Sequence, residues 1–264
     1  MKFSIVGKLE KEIFVSLFQL LKNSSTTISI IFTQEYAHIQ GMDKSHICLF
    51  NIKLNADWFS TYNFTLGETS NIFIDSQILY NVLSMNQDIH SIIIHYEGDP
   101  DTISIDLVNE SPSAKSSGDM FNKYFKIPLA DMDQELLDIP ETDYDVDFSI
   151  SAKKIQDVFS QLLIFGDTLN IICNEEKINL NTTGVYGDML VNIPIDDIVE
   201  FSISEDENID IAFNLKFISK MCITNKLSNN IDFSIRKDYP MKIKYNLGKD
   251  NFANFFIAPQ LTDE

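Results

Sequence analysis

A chain of 264 residues that is 44% hydrophobic and holds 20 phenylalanines carries too much apolar surface to stay disordered, and is long enough for one large core or two half-sized ones. Its formal charge of −19 excludes a surface that is basic all over and leaves room only for a local basic face. The cysteines Cys48, Cys173 and Cys222 are far apart with no CxxC pair, so they suggest neither a disulfide framework nor a zinc site and read as reduced, buried thiols.

In chain order, the opening MKFSIVGKLEKEIF breaks its apolar run with Lys8, Glu10, Lys11 and Glu12, as a secretory leader does not. No apolar stretch approaches the ~20 residues of a membrane span, so the expectation is an intracellular protein without membrane association. Residues 8 to 22 place Leu9, Ile13, Phe14, Leu17, Leu20 and Leu21 at helical spacing. ISIIF (28 to 32), YAHIQ (36 to 40) and HICLFNIKL (46 to 54) then alternate with period two, the pattern of half-buried antiparallel strands. A second helix is predicted over 75 to 86 with Asp75 as its N-cap, followed by the strand TISIDLV (102 to 108). The acidic run MDQELLDIPETDYD (132 to 145) holds Leu136, Leu137 and Ile139, large apolar side chains that a solvated linker does not need. Beyond it come DVDFSIS (145 to 151), a helix over 151 to 165 capped by Ser151, and KINLN (177 to 181). A helix over 214 to 226 capped by Asn214 and the strand MKIKYNL (241 to 247) follow.

The order of elements repeats. YAHIQGMDKSHICLFNI lies over KINLNTTGVYGDMLVNI at an offset of 141, which takes Leu49 to Leu190 and Asn51 to Asn192. The helices fall near the same offset, so the chain reads as two copies of one helix-and-strand unit joined near the acidic run. The four helices are electropositive within an acidic protein: Lys216, Lys220 and Lys226 are unopposed on the last, and Lys153 and Lys154 outnumber Asp157 on the third. Such a face suits a polyanion.

Catalytic chemistry is not signalled. His38, His46, His90 and His95 include no pair at metal-ligand spacing, and DMDQE fails as a calcium loop because Leu136 stands where the turn glycine belongs and Thr142 where the closing glutamate belongs. No phosphate-binding glycine loop, GxSxG elbow or HExxH is present. No enzyme activity, cofactor or metal is expected.

Several segments resemble, in order, those of the proliferating cell nuclear antigen family, the ring-shaped DNA sliding clamps. GMDKSHICLF (41 to 50) looks like the family's Ser-Met-Asp-Ser-Ser-His-Val segment, and LADMDQELLDIPETDY like its interdomain connecting loop. FGDTLNIIC, LKFISKMCITNKLS, DYPMKIKYNL and FFIAPQL follow in family order. The resemblance implies an α+β, two-domain clamp fold with an internal pseudo-repeat, helices lining a central hole and antiparallel sheets outside. Three copies would close into a homotrimer. The expected division is an N-terminal clamp domain over 1–128, a connecting loop over 129–145 and a C-terminal clamp domain over 146–264.

It further implies a polymerase processivity factor that encircles double-stranded DNA without reading its sequence, in the nucleus or at a viral replication site. DNA polymerase, a clamp-loader ATPase, ligase and nuclease would dock through PIP-type peptides. The implied peptide pocket comprises Met42, His46, Ile47, Leu137, Ile139, Pro140, Tyr144, Pro240, Phe256, Ile257, Ala258, Pro259 and Gln260. Lys11, Lys153, Lys154, Lys216 and Lys220 would face DNA. Ring closure would pair an edge strand over 120 to 127 with one over 176 to 183 of the next copy, with Phe125 reaching toward Leu162 and Phe165.

Departures from the family pattern are visible. Residues 75 to 86 lack lysine, and Asp157 and Ser160 stand where a base is expected, which points to weak DNA binding or reliance on encirclement. Glu175 occupies the position of a modifiable lysine in many eukaryotic members. The alternative is a divergent monomeric or heteromeric clamp-like factor that binds DNA by charge.

Overall fold

The computed structural model describes residues 1–86, 88–99, 101–109, 121–132, 136–205 and 207–260. They divide into two compact units. Met1–Gly41, Asn51–Leu137 and Gly248–Asn251 form the N-terminal unit; Met42–Phe50, Asp138–Leu247 and the residues from Phe252 onward form the C-terminal unit.

In the N-terminal unit, β1 (Lys2–Ile5) leads into α1 (Lys8–Ser24), which buries Ile13, Phe14, Leu17, Leu20 and Leu21 as their spacing predicts but leaves Leu9, in its first turn, exposed. β2 (Thr27–Phe32), β3 (Tyr36–Met42), β4 (Cys48–Asn55), β5 (Thr61–Asn63) and β6 (Ser70–Asp75) follow. The start of α2 (Ser76–Ser84) is set by the Asp75 carboxylate, which accepts a 2.8 Å hydrogen bond from the Ile78 N–H. β7 (His90–His95), β8 (Thr102–Asn109) and β9 (Lys123–Pro128) complete the unit. One antiparallel sheet runs β5-β1-β7-β8-β9, and β6, β2, β3 and β4 are neighbours in another. Phe3 anchors an aromatic cluster, its ring 5.4 Å from Phe32 and 5.1 Å from Phe59, pairs worth roughly 0.5–1.5 kcal/mol each beyond simple burial. α1 packs on α2.

The C-terminal unit repeats the plan. β10 (Val146–Ser151), α3 (Ala152–Leu162), β11 (Thr168–Cys173), β12 (Lys177–Gly184) and β13 (Gly187–Pro194) are followed by β14 (Glu200–Ile203) and β15 (Ile209–Asn214). α4 (Leu215–Met221), β16 (Asn230–Ile235), β17 (Met241–Asn246) and β18 (Phe252–Ile257) close it. Its sheets run β14-β10-β16-β17-β18 and β13-β12-β11-β15. Asn214 caps α4 by accepting from the Lys216 N–H at 3.1 Å, whereas Ser151 occupies the cap of α3 without a side-chain bond. The helix expected to run to residue 226 stops at Met221. The Thr224 hydroxyl instead accepts from the Lys226 N–H at 3.2 Å, a local turn that competes with helix. The buried Tyr245 hydroxyl donates to the Met221 carbonyl at 2.7 Å and ties β17 to the end of α4.

The topology corrects one expectation. The strand predicted over 176 to 183 as an unpaired edge is β12, which is hydrogen-bonded to β11 on one side and β13 on the other. A tight turn at Val185 and Tyr186, with Gly187 at φ +117°, folds the chain back so that β13 takes the edge. Gly184 permits this approach, since a Cβ there would lie 1.9 Å from the Phe165 carbonyl oxygen. β9 is an edge strand of its sheet; residue 120, at the start of the predicted segment, lies outside the described residues.

Candidate functional site

The loop between β3 and β4 is built on one buried carboxylate. Asp43 accepts from the Ser45 N–H at 2.8 Å through one oxygen, and from the Ile47 and Cys48 N–H groups at 2.7 and 2.6 Å through the other. His46 adopts φ 58°, a left-handed conformation that histidine tolerates better than most residues. The loop is thereby fixed, and the Ala258 N–H donates to the Ile47 carbonyl at 2.9 Å, fastening the end of β18 beside it.

Around this loop the C-terminal unit forms a concavity of about 180 Å³. The end of β3, the loop and the start of β4 supply Met42, His46, Ile47 and Leu49; the connector supplies Asp138, Ile139 and Pro140. Tyr239 and Pro240 enter from the turn after β16, and Phe256 and Ala258 from β18 and its end. Four separate stretches of chain converge on a mostly apolar hollow, the form of a site that takes side-chain anchors. At its rim the Tyr144 ring meets Tyr239 edge-on at 6.1 Å, and the Lys242 ammonium lies 4.6 Å from the Tyr144 ring centroid. Burial, then the neighbouring Tyr239 and Asp147, pushes the Tyr144 phenol up to about 12, so it stays neutral at physiological pH. Burial above all, with the Asp43 carboxylate adding to it, pushes the Cys48 thiol beneath the loop up to about 12. All three cysteines are free and buried.

Of the residues named for a pocket, Met42, His46, Ile47, Ile139, Pro140, Pro240, Phe256 and Ala258 line this one hollow. Others do not. Ile257 is fully buried, because alternation along β18 turns it inward where Phe256 turns outward. Pro259 bridges to Phe213, and the Gln260 N–H donates to the Ala212 carbonyl at 2.8 Å, so this stretch lies along β15 and that donor is occupied. Leu137 belongs to the N-terminal unit, where the Gln40 amide donates to its carbonyl at 2.8 Å and accepts from its N–H at 2.7 Å. Leu49, Asp138 and Tyr239 were missed as lining residues; Leu49 stands two residues beyond Ile47, at the start of β4.

The helix lysines divide by unit. Lys11 is 3% exposed and donates to the Asp88 and His90 carbonyls at 2.7 and 2.6 Å, so it braces the start of β7 instead of facing a polyanion. Lys8 pairs with Asp88 at 2.9 Å, and Lys22 lies 3.9 Å over the Tyr80 ring. On the C-terminal unit Lys153, Lys154, Lys216 and Lys220 are all exposed. Lys216 pairs with the exposed Asp167, while neither Lys153 nor Lys154 has an ion-pair partner among the described residues. α3 and α4, which carry all four, pack together.

The two sheet edges carry exposed apolar side chains. Tyr124 on β9 and Phe121 just before it are exposed, with Phe125 half-buried, as are Leu190 on β13 and Val185 and Tyr186 in its turn. Leu162 is fully buried in its own unit and does not reach an outer surface; Phe165 is half-buried and its neighbour Ile164 exposed. Among the described residues no cluster of three or more His, Cys, Asp or Glu side chains is placed to hold a metal ion, and no helix is long and apolar enough to cross a membrane.

Comparison with known proteins bears on all of this. Residues 7–136 match the model of the proliferating cell nuclear antigen N-terminal domain, and residues 138–260 that of the C-terminal domain. The proliferating cell nuclear antigen of Chaetomium thermophilum is 27% identical over 235 residues, 86% of each chain. Among solved structures, the PCNA2–PCNA3 complex from Sulfolobus tokodaii superposes with a TM-score of 0.84 over 98% of this chain and 99% of that one, at 17% identity, a likeness of fold. With a two-unit α+β architecture and both domain models matched along its length, the chain belongs to the proliferating cell nuclear antigen family, the DNA sliding clamps.

Proposed function

We propose that three copies of this chain close into a ring around duplex DNA and that partner enzymes dock on it through the hollow bounded by Ile47, Ile139, Pro140, Tyr239, Pro240 and Phe256. The convergence of four chain segments on one apolar concavity carries the docking reading. Its occupant is a short PIP-type turn with one aliphatic and two aromatic anchors, presented by a polymerase, ligase, nuclease or clamp-loader ATPase. Ring closure is supported by the open edges of β9 and β13, each rimmed by exposed apolar side chains, since an unpaired edge invites a strand from another copy. Lys153, Lys154, Lys216 and Lys220 would touch phosphates without reading bases, so the ring holds DNA by encirclement and slides. The working place is the nucleus or a viral replication site.

Replacing Ile139 and Pro140 together by alanine is expected to abolish polymerase stimulation on primed circular DNA while the native mass stays that of a trimer by light scattering. Unchanged stimulation rejects the pocket, and a monomer at micromolar concentration for the unaltered chain rejects the ring.

A further inference from the structure

Beside the pocket, the outer face of the β14-β10-β16-β17-β18 sheet forms a second, shallower groove of about 390 Å³ with no assigned occupant. The strand register orders its charges. Phe256, a pocket residue, stands opposite Lys242 on β17; Lys242 stands opposite Ser234, Ser234 opposite Asp147, and Asp147 opposite Ser202. The adjacent row runs Lys244, Asp232, Ser149 and Glu200, with the Ser149 hydroxyl donating to the Asp232 carboxylate at 2.8 Å. Moving away from the pocket, the face is therefore apolar, then basic, then acidic, the acidic part beginning with Asp232 opposite Lys244 and continuing to Asp147 and Glu200.

Spacing turns this order into a distance. Neighbouring strands lie about 4.8 Å apart, so Asp147 is roughly 10 Å beyond Lys242 and Glu200 roughly 14 Å beyond Lys244. An extended peptide advances about 3.3 Å per residue, so Asp147 and Glu200 lie three to four peptide residues beyond the lysines, with Asp232 one strand from Lys244 in between. Among the described residues neither Lys242 nor Lys244 forms an ion pair with these carboxylates. Lys242 is half-buried against the Tyr144 ring, and burial, with Lys244 adding to it, pulls its pKa below the ordinary lysine value against the opposing charges of Asp147 and Asp232, so its charge is only partly compensated where it sits. An incoming carboxylate would relieve that.

We propose that this groove receives the flank of a docked partner peptide whose charges run in the complementary order: an acidic residue next to the anchors, set against Lys242 and Lys244, and a basic residue three to four positions farther out, set against Asp147 and Glu200. The proposal rests on the docking reading above and adds to it a selector among partners that share the same anchors. Charge order along such a flank discriminates by repulsion as much as by attraction.

The test uses fluorescent synthetic peptides and the full chain in anisotropy titrations at low salt. One peptide carries only the aliphatic and two aromatic anchors; others add a flank in the matched order or with the two charges exchanged, on the N-terminal side in one series and the C-terminal side in another. The matched flank is expected to bind about tenfold tighter than the exchanged one in one series, with the difference shrinking in high salt. The double variant Lys244→Glu with Glu200→Lys is expected to reverse the preference while leaving the affinity of the anchor-only peptide unchanged. If the anchor-only peptide binds and neither series tells the two flanks apart, the groove proposal is overturned while the pocket stands. If the anchor-only peptide does not bind, the pocket reading falls and takes the groove with it. Should the double variant not fold, the comparison on the unaltered chain decides alone.

Discussion

The helices of the two units use lysine for opposite purposes. In the N-terminal unit Lys11 is a brace between a helix and the start of β7, Lys8 is paired with Asp88, and Lys22 sits on Tyr80. In the C-terminal unit Lys153 and Lys154 stand in solvent with no ion-pair partner among the described residues, and Lys216 and Lys220 are exposed nearby. Lys11 alone is turned inward, Lys8 stays exposed in its pair with Asp88 as Lys216 does in its pair with Asp167, and only Lys153 and Lys154 combine exposure with the lack of an ion-pair partner on two successive positions. Any attraction for phosphate is therefore concentrated on half of each chain, and counting lysines on helices overstates it for the other half.

The largest effect that separates the two roles is Lys11→Met. It strands the Asp88 and His90 carbonyls without their ammonium donor and is expected to cost about 3 kcal/mol of unfolding free energy in urea. The salt dependence of DNA binding should stay as it was; a stable variant with altered DNA binding would reverse the assignment of Lys11. Next, Lys153→Ala with Lys154→Ala should leave the urea midpoint nearly unmoved. The slope of log affinity for linear duplex DNA against log salt should become shallower by about 1 to 2, since each phosphate that a lysine neutralises adds roughly 0.9 to it. An unchanged slope would place phosphate elsewhere.

The smallest effect lies in pH. Burial, with Lys123 and Lys11 adding to it, lowers the His90 pKa below the ordinary histidine value against the opposing bond from its ring to the Phe121 carbonyl. The folded chain thus holds His90 neutral where the unfolded chain protonates it. Its contribution is complete above the ordinary histidine range and is lost as pH falls through that range toward the lowered value. A modest drop in thermal midpoint between neutral and mildly acidic pH is expected, and His90→Asn should flatten it. An equally steep drop in that variant would assign the dependence to other groups.

Much of this was written in residue spacing. The buried stripe of α1, the caps at Asp75 and Asn214, and the period-two strands are local features, and local rules recover them. Ile257 was separable from Phe256 by the same alternation that orders β18. Two features were beyond such rules. Lys11 finds its partners at Asp88 and His90, far along the chain, and no helical pattern distinguishes a bracing lysine from a solvated one. Which of β12 and β13 takes the sheet edge depends on pairing order, and alternation is equally good for an inner and an outer strand. Leu49 and Tyr239 reached the pocket through the same long-range closure.

The bridge from Pro259 to Phe213, with the Gln260 N–H on the Ala212 carbonyl, has a consequence for symmetry. It covers the second half of β15 at one side of the four-stranded sheet, while β13 at the other side stays open among the described residues. An association that joined β13 of one copy to the unlike edge β9 of another would be head-to-tail with one polarity, and such contacts close into a cycle when the rotation allows and grow into filaments when it does not. A few residues laid along one strand thereby take part of one further edge out of competition with β9 and β13.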